Sequence, residues 1–412
     1  MSDATRPLEG FRVLDLTVFW AGPLPSAILA DLGAEVIKVE APHRLDPFRA
    51  YGIPGTSRDA QAFEKSPLFN SANRNKRGIT LNLADQRGQE LFKRLVSKSD
   101  AVMENFTPRV LPQFGLGYEV LRAIKPALVM TSISGFGRSG PWRDYVSFAA
   151  IGEALSGISS LTGYDSRDVL LHGVGVSDPY TGLTAAFATL AALQSALETG
   201  EGRHIEIAQL EASLPFIADA IMEYVLNNTV RGRVTNEQAG RAPHGAFRAR
   251  GDDVWVTISV GTDLQWQGLL DAMGQPAWGG EERFATPLAR YRNRAALNAL
   301  VEEWTSSRDK EALASDLQRR GVPAAPVRSP AEQINDPQLK SLGFFQMVDH
   351  PYAGRHPYPS FPARFSGRYP AIARVGPLAG QDNRFVFEEL LGLSRTEIEE
   401  LEAAGITGPP AL

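Results

Sequence analysis

The chain has 412 residues, of which 43% are hydrophobic and 22% are charged, a composition typical of a globular protein of two or three domains. Its formal net charge of −5 argues against nucleic acid as a partner. The absence of cysteine excludes disulfides, thiolate metal ligands and a cysteine nucleophile. No apolar run is long enough to predict a membrane span, and no signal-peptide pattern is present, so we expect a cytoplasmic protein that does not bind membranes.

The first 140 residues alternate between strand and helix patterns. Residues 11–40 predict a strand, an AGP turn, a helix and a second strand, which is a βαβ unit of parallel sheet. Further strands are predicted at 79–83, 101–106 and 127–137, and helices at 85–95, capped by Asp85, and 118–127. This alternation predicts a doubly wound α/β domain, whose ligands bind beyond the carboxyl ends of the strands. Because the first turn lacks G-x-G-x-x-G, a nicotinamide or flavin site is weakly supported.

The remainder of the chain differs in pattern. Segment 41–75, rich in proline, glycine and charge, is too long for a plain connector and is predicted to be functional. An apolar helix at 214–228 leads to a hinge, a β-hairpin at 245–260 and helices at 263–273, 292–307 and 310–321, and one more helix is predicted at 383–393. We expect a large α/β domain at 1–225, a small α+β domain at 226–325 and a C-terminal segment, 326–412, that returns to the large domain.

Asp178 lies between a loop of small residues and a long apolar helix, with Pro179 predicted at the first helical position. One interpretation is that Asp178 is only the N-cap of this helix, since Asp is a preferred cap and Pro is favoured at N1. The other is that a carboxylate is held at a helix N-terminus, beside glycines that let a substrate approach. The residues around Asp178 leave both interpretations open.

Several motifs occur in a fixed order along the chain: LEGFRVLDLT, AGP, LADLGAEVIKVE, NKRGITLNL, VMENF, SISGFG, SGPW, SDPYTG and GRHIEIA. Together they resemble the class III CoA-transferase family, that of the formyl-CoA and carnitine CoA-transferases. The resemblance covers nearly the whole chain. It implies an interlocked homodimer of ring-like subunits, each with a Rossmann-like large domain and a small domain. A heterodimer with a paralogue is the alternative partner arrangement.

The resemblance also implies roles for individual residues. Asp178 matches the catalytic aspartate, which would attack a thioester, expel CoA thiolate and form a mixed anhydride and then an aspartyl-CoA thioester. Asn105 and Phe106 match a CoA-contacting segment, and Leu81 matches a position that lines the adenine pocket. Acyl-CoA is thus expected as a substrate, together with a carboxylic acid, and no permanently bound cofactor is expected.

The phosphates of CoA require cations. The densest basic cluster is Arg74, Lys76 and Arg77, and neighbouring loops carry Arg44, Arg49, Arg109 and Arg138. For each of these the alternative is an ordinary solvated surface charge. No metal site is predicted, since no His or carboxylate residues stand at ligand spacing.

The predicted substrate pocket consists of Phe19, Trp20, Gly135, Phe136, Gly137 and His172. Where some family members carry Gln before the AGP turn, this chain has Trp20 after Phe19, which favours a larger or more apolar acid. The glycines of the 135–140 loop, with Gly173 and Gly175, are candidates for oxyanion donors. Two other functions remain open: an acyl-CoA α-carbon racemase, disfavoured because segment 141–157 has no His, and a CoA-binding, non-catalytic subunit.

Overall fold

The computed structural model describes residues 6–51, 61–164, 169–233 and 235–410. They form two compact units, a large one (1–159, 171–229 and 337–412) and a small one (160–170 and 230–336). Part of the predicted functional segment 41–75, residues 52–60, lies outside the described residues.

The large unit is built on a six-stranded parallel sheet. Its strands are β1 (Arg12–Asp15), β2 (Glu35–Glu40), β3 (Arg77–Thr80), β4 (Ala101–Glu104), β5 (Val129–Ser134) and β6 (His204–Ala208). Their spatial order is β3-β2-β1-β4-β5-β6, with every neighbouring pair parallel. This is the order of doubly wound dinucleotide-binding folds, and it confirms the predicted α/β class.

Helices connect the strands and flank the sheet. Their bounds are α1 (Pro23–Asp31), α2 (Pro67–Asn73), α3 (Gln86–Ser97), α4 (Val110–Gln113), α5 (Tyr118–Ile124), α6 (Ala149–Ser156), α7 (Ile158–Leu161), α8 (Ser177–Thr199), α9 (Gln209–Ser213) and α10 (Ala218–Asn227). The predicted Asp85 cap is confirmed, because its Oδ1 accepts from Arg87 N at 2.8 Å. The predicted helix at 214–228 instead begins as a 3₁₀ turn, Leu214–Ile217, before α10.

The prediction that Asp178 caps α8 is wrong. The helix begins at Ser177, with Val176 at the N-cap position, so that Asp178 is already the second helical residue. Val176 has helical dihedral angles, and the Asp178 amide donates to Gly175 O at 3.2 Å, so the chain turns before it reaches the aspartate. The Asp178 carboxylate is therefore not used as a cap and is available to other partners.

The side chains of the strands alternate between two buried apolar layers, as expected of a sheet covered on both faces. One layer contains Leu14, Ile37 and Val102, and the other contains Val13, Val36 and Met103. Helices α3 and α5 contribute to the first layer, and α1 and α8 to the second. The sheet is thus rigidly supported, which fixes the loops at its carboxyl edge.

The C-terminal part of the large unit comprises α16 (Pro337–Ser341), an antiparallel hairpin of β10 (Phe345–His350) and β11 (Gly354–Pro359), a π-helical segment (Phe385–Leu390) and α17 (Arg395–Ala403). Phe387 and Ile406 pack into the first apolar layer. At the edge strand β3, Asp382 accepts from Gly78 N and Asn383 accepts from Thr80 N, both at 2.9 Å. These bonds satisfy backbone donors that an edge strand would otherwise leave open.

The small unit contains an antiparallel sheet of β7 (His244–Arg248), β8 (Trp255–Ser259) and β9 (Ala324–Pro326). Its helices are α11 (Asp263–Met273), α12 (Pro287–Arg292), α13 (Arg294–Thr305), α14 (Lys310–Arg319) and α15 (Pro330–Ile334). The predicted hairpin and the three predicted helices are confirmed. Phe247, Val256, Leu269, Phe284 and Leu297 lie in its separate hydrophobic core.

Candidate active site

The loops that follow strands β1 to β5 enclose a cavity at the carboxyl edge of the sheet. It has a volume of about 710 Å³ and is lined by residues of the large unit. Seven residues that the sequence singled out line it: Phe19, Arg44, Leu81, Asn105, Phe106, Gly135 and Asp178. The βαβ pattern predicts this convergence, because parallel strands all present their carboxyl ends at one edge.

Asn105 ties the loop after β4 to the loop after β1. Its Oδ1 accepts from Val18 N and its Nδ2 donates to Val18 O, both at 2.8 Å. The close approach requires glycine at position 22, where a Cβ would lie 2.4 Å from Thr17 Cβ and 2.9 Å from Asn105 Cγ. The AGP turn therefore serves to bring the two loops together at the cavity wall.

Phe19 forms an aromatic part of that wall. Its φ angle of 65° is unusual for a bulky residue, and its amide donates to Asp46 Oδ1 at 3.1 Å, which holds the conformation. The ring packs edge-to-face against Phe48 and Phe148, at centroid distances of 5.8 and 5.6 Å. Phe148 and Phe19 both line the cavity, so this end of it is apolar.

Glu104, at the end of β4, holds the Asn105–Phe106 turn through a hydrogen bond to the backbone. Its Oε2 accepts from Phe106 N at 2.8 Å, and its Oε1 lies 3.2 Å from Arg138 Nη1. Burial raises the pKa of Glu104 to about 7, although hydrogen bonds from Ser132 and Phe106 and the charge of Arg138 act in the opposite direction. Arg138, which the sequence assigned to CoA, thus lies outside the cavity lining as a partner of Glu104.

Asp178 presents its carboxylate to the cavity from the first turn of α8. Its Oδ1 accepts a hydrogen bond from Gln209 Nε2, and Gln209 also donates to Ser177 Oγ at 3.2 Å. Burial raises the pKa of Asp178 to about 6; the hydrogen bond from Gln209 opposes the rise, and the negative charge of Glu153 adds to it. At neutral pH the group is still mostly ionised, yet more basic than an ordinary aspartate, which suits a nucleophile.

The basic cluster predicted for the CoA phosphates has other partners. Arg74 Nη2 lies 2.5 Å from Asp31, buried Lys76 Nζ lies 2.8 Å from Asp15, and Arg77 Nε lies 2.9 Å from Glu35. Likewise, Arg49 is buried between Glu40 and Glu64. None of these four cations lines the cavity, and their charges are balanced inside the large unit.

Arg44 differs from these four cations. Its side chain is exposed and lines the cavity beside the end of β2, and no carboxylate among the described residues pairs with it. Leu81, nearly fully buried, lies on the neighbouring loop after β3. The remaining predicted site residues are outside the cavity lining: Trp20, Arg109, Phe136, Gly137 and His172.

Sequence reasoning missed Gln209 and Glu153. Gln209 directly follows β6, so the rule that ligands meet the carboxyl ends of strands would have marked it. Glu153 lies on the short helix α6, and no sequence motif indicates that its charge acts on Asp178. In the described part of the chain, no group of three His, Asp or Glu side chains could hold a metal ion. Nor does any described helix have the length and apolar character to cross a bilayer.

The comparisons with known proteins agree with this geometry. The sequence model of CoA-transferase family III matches residues 8–383. The succinyl-CoA–D-citramalate CoA-transferase of Chloroflexus aurantiacus is 36% identical over 97% of both chains. The alpha subunit of succinyl-CoA–L-malate CoA-transferase from Chloroflexus aurantiacus is 33% identical, over 97% of this chain and 92% of that relative, and the matches also include the beta subunit. A CAIB/BAIF family protein from Brucella suis, of known crystal structure, superimposes with a TM-score of 0.84 at 34% identity, over 94% of this chain and all of that one.

The fold and the site therefore define an enzyme that acts on CoA thioesters, with a carboxylate beside the cavity. The chain belongs to CoA-transferase family III.

Proposed function

We propose that the enzyme transfers CoA from an acyl-CoA donor to a carboxylic acid through covalent intermediates on Asp178. The observation that carries this proposal is a half-buried carboxylate, held by Gln209, at the wall of the cavity. Its raised pKa makes it a stronger nucleophile than an exposed aspartate while leaving it ionised at neutral pH.

In the first step, an Asp178 carboxylate oxygen bonds to the thioester carbonyl carbon. The C–S bond breaks, giving a mixed anhydride and CoA thiolate. The thiolate then attacks the Asp178 carbonyl carbon, releasing the donor acid as its carboxylate and leaving an aspartyl-CoA thioester. The acceptor carboxylate repeats the two steps in reverse and leaves as the new acyl-CoA. No net proton is transferred, which agrees with a site where Asp178 has a neutral amide as its hydrogen-bond donor.

The CoA moiety is proposed to lie along the loops after β2, β3 and β4. Leu81 and Phe106 would provide an apolar surface for the adenine, and the exposed guanidinium of Arg44 would bind a phosphate. Asn105 would act by keeping this surface in register with the loop that carries Phe19. The proposed role of Arg49, Arg74, Lys76, Arg77 and Arg138 is structural, because each already pairs with a carboxylate. Arg109 is exposed and lies outside the cavity lining.

The acyl groups are proposed to lie between Asp178, Gly135 and the aromatic pair of Phe19 and Phe148. Relatives are named for succinyl-CoA as a donor, and we propose the same donor here. The aromatic wall favours an acceptor acid with an apolar or bulky chain. Backbone N–H groups near Gly135 are the proposed donors to the oxyanion of each tetrahedral intermediate.

The assembly is proposed to be an interlocked homodimer. Exposed apolar side chains on α8 and α10 support it: Leu183, Phe187, Tyr224, Val225 and Leu226 are each more than half exposed in the single chain. A surface of this kind marks a protein interface. Because two relatives are alpha and beta subunits, a paralogous partner is the competing assembly.

The test of the proposed function is detection of the covalent adduct. The protein is mixed with succinyl-CoA, quenched in acid within milliseconds and analysed by intact mass and peptide mapping. We expect an acyl or CoA adduct on the peptide that carries Asp178, absent in Asp178→Ala. An adduct elsewhere, or α-proton exchange with deuterated water and no adduct, would contradict the proposal and favour the racemase. CoA binding without either signal would indicate a non-catalytic subunit.

A further inference from the structure

Glu153 is a fully buried carboxylate that the reaction as described does not use. It lies on α6 and has no exposed surface. Its Oε2 accepts from His172 N at 3.3 Å and lies 3.4 Å from His172 Nδ1. Its Oε1 is buried and has no hydrogen-bond partner among the described residues. A buried carboxylate oxygen without a partner costs free energy, so its presence at this position calls for a physical reason.

Helix α6 is fastened to the residues that hold the nucleophile. Ser177 Oγ donates to Ala149 O at 3.1 Å, at the first residue of α6. A Cβ at Gly152 would lie 3.3 Å from Gln209 Cδ and 3.4 Å from Ser177 Oγ, so glycine permits the close packing. Gln209 is also the donor to Asp178, so the packing at Gly152 places the helix that carries Glu153 beside the residues that hold Asp178.

The charge that acts on Asp178 from the described residues is negative. Among the described residues, Glu153 of α6 is the charged group whose field raises the pKa of Asp178, while Gln209 of α9 is a neutral donor. His172, from the loop before α8, faces Glu153 and lies outside the cavity lining. The nucleophile thus has a like charge behind it in a site of restricted solvent access, where screening is weak.

We propose that Glu153 is a positioning residue that activates Asp178 by like-charge repulsion. The proposal rests on the proposed role of Asp178 as the nucleophile. In the first step, the negative charge leaves Asp178 and passes to the departing thiolate sulfur as the acyl–oxygen bond forms. Repulsion from Glu153 is then relieved, because both the anhydride and the aspartyl-CoA thioester are uncharged at Asp178. Glu153 therefore raises the free energy of the ionised resting state and favours the covalent intermediates.

The test compares the wild type with Glu153→Gln, which keeps the shape of the side chain and an oxygen to accept from His172 N. The rate of Asp178 labelling by succinyl-CoA is measured by rapid acid quench between pH 5 and pH 8.5. In the wild type we expect the rate to fall as the pH drops through about 6. In the variant we expect the midpoint to move at least about half a pH unit lower and the plateau rate to fall about threefold, since the nucleophile is less basic.

The matched control is Glu198→Gln. Like Glu153→Gln, it removes one negative charge, but from an exposed residue of α8, the helix that carries Asp178. Glu198 lies about 30 Å from Asp178 along this helix, at 1.5 Å per residue. We expect its pH profile to equal that of the wild type. If the wild type forms no adduct on Asp178, the proposed function itself fails. If the wild type is labelled and Glu153→Gln keeps its midpoint, with or without a uniform loss of rate, Glu153 has only a packing role and the inference is overturned.

Discussion

Three carboxylates near the carboxyl edge of the sheet, two buried and the half-buried Asp178, behave differently because their neighbours differ. Burial alone would raise the pKa of Asp15, but Lys76 and Lys38 outweigh it and lower the pKa to about 2. Glu104 and Asp178 lack such strong compensation, and burial raises the pKa of the first to about 7 and of the second to about 6. The residue type is similar in all three, so the chemistry at each position is set by the surrounding charges.

The raised pKa of Asp178 makes a prediction about stability. A carboxyl group with a higher pKa in the folded state than its ordinary value of 3.8 destabilises the fold once it ionises. The cost is absent below pH 4, grows as the pH rises and is complete above about pH 7. Asp178→Asn keeps an oxygen to accept from Gln209 and removes the charge. We expect its thermal midpoint to exceed that of the wild type by about 2 °C at pH 8 and to equal it near pH 4.

Differential scanning calorimetry between pH 4 and pH 8 checks this prediction, with the exposed Asp252→Asn as control. A midpoint for Asp178→Asn that is unchanged or lower at pH 8 would show that the ionised carboxylate is better compensated than its surroundings indicate.

At the scale of elements, the position of a basic residue relative to the strands indicates whether its role is in binding or in structure. Arg44 lies on the loop after β2 with an exposed side chain that pairs with no carboxylate in the described ranges, whereas Lys76 lies just before β3 in a buried pair with Asp15. Substitutions of these two basic residues are therefore expected to have different effects. We expect loss of Arg44 to weaken the binding of CoA in the cavity, and loss of Lys76 to leave the charge of Asp15 uncompensated in the sheet.

We expect Arg44→Ala to raise the KM for acyl-CoA about tenfold, the order of one charge-assisted hydrogen bond, with an unchanged thermal midpoint. Lys76→Met is expected to lower the thermal midpoint by several degrees. Steady-state kinetics with succinyl-CoA and thermal unfolding of both variants distinguish the two roles. Arg122→Ala, an exposed arginine on α5 outside the cavity lining, serves as control. A normal KM for Arg44→Ala would remove Arg44 from the proposed phosphate site.

The elements were the most predictable part of this protein. Strong periodicity and short turns locate β1, α1 and β2, and the parallel order brings their carboxyl ends together. The partners of the side chains were not predictable. Sequence shows that Lys76 is basic, but only the fold shows that Asp15, 61 residues away, neutralises it. The role proposed for Glu153 was not predictable for the same reason, since only the fold packs α6 against the residues that hold Asp178.

At the scale of the whole molecule, the large unit exposes large apolar side chains along α8 and α10. Helix α8 carries Asp178 at its first turn and presents Phe187, 75% exposed, further along. The helix that carries the proposed nucleophile therefore also carries part of the proposed dimer surface, so assembly and activity are expected to depend on each other.

We expect the purified protein to behave as a dimer of about twice 44.8 kDa in light scattering. Phe187→Asp is expected to give monomers and to lower the transferase activity, because it places a charge within an apolar interface. The conservative Phe187→Leu is the control and should remain dimeric. A fully active monomer in either variant would contradict the proposed assembly, and an inactive wild-type monomer would point to a paralogous partner.

The C-terminal segment has a consequence for how the protein is made. Backbone and side-chain bonds join Asn82 N to Ile406 O and Thr80 Oγ1 to Gly408 O, each at 2.7 Å, across more than 300 residues. During synthesis on the ribosome, the C-terminal segment that covers the edge of strand β3 therefore emerges only after nearly the whole chain has been made. The main part of the small unit, residues 230–336, lies between β6 and the C-terminal segment in the chain, so it emerges before the edge of β3 is covered. The edge of β3 therefore stays uncovered for most of translation, and in that interval its unpaired backbone groups are open to pairing with other chains.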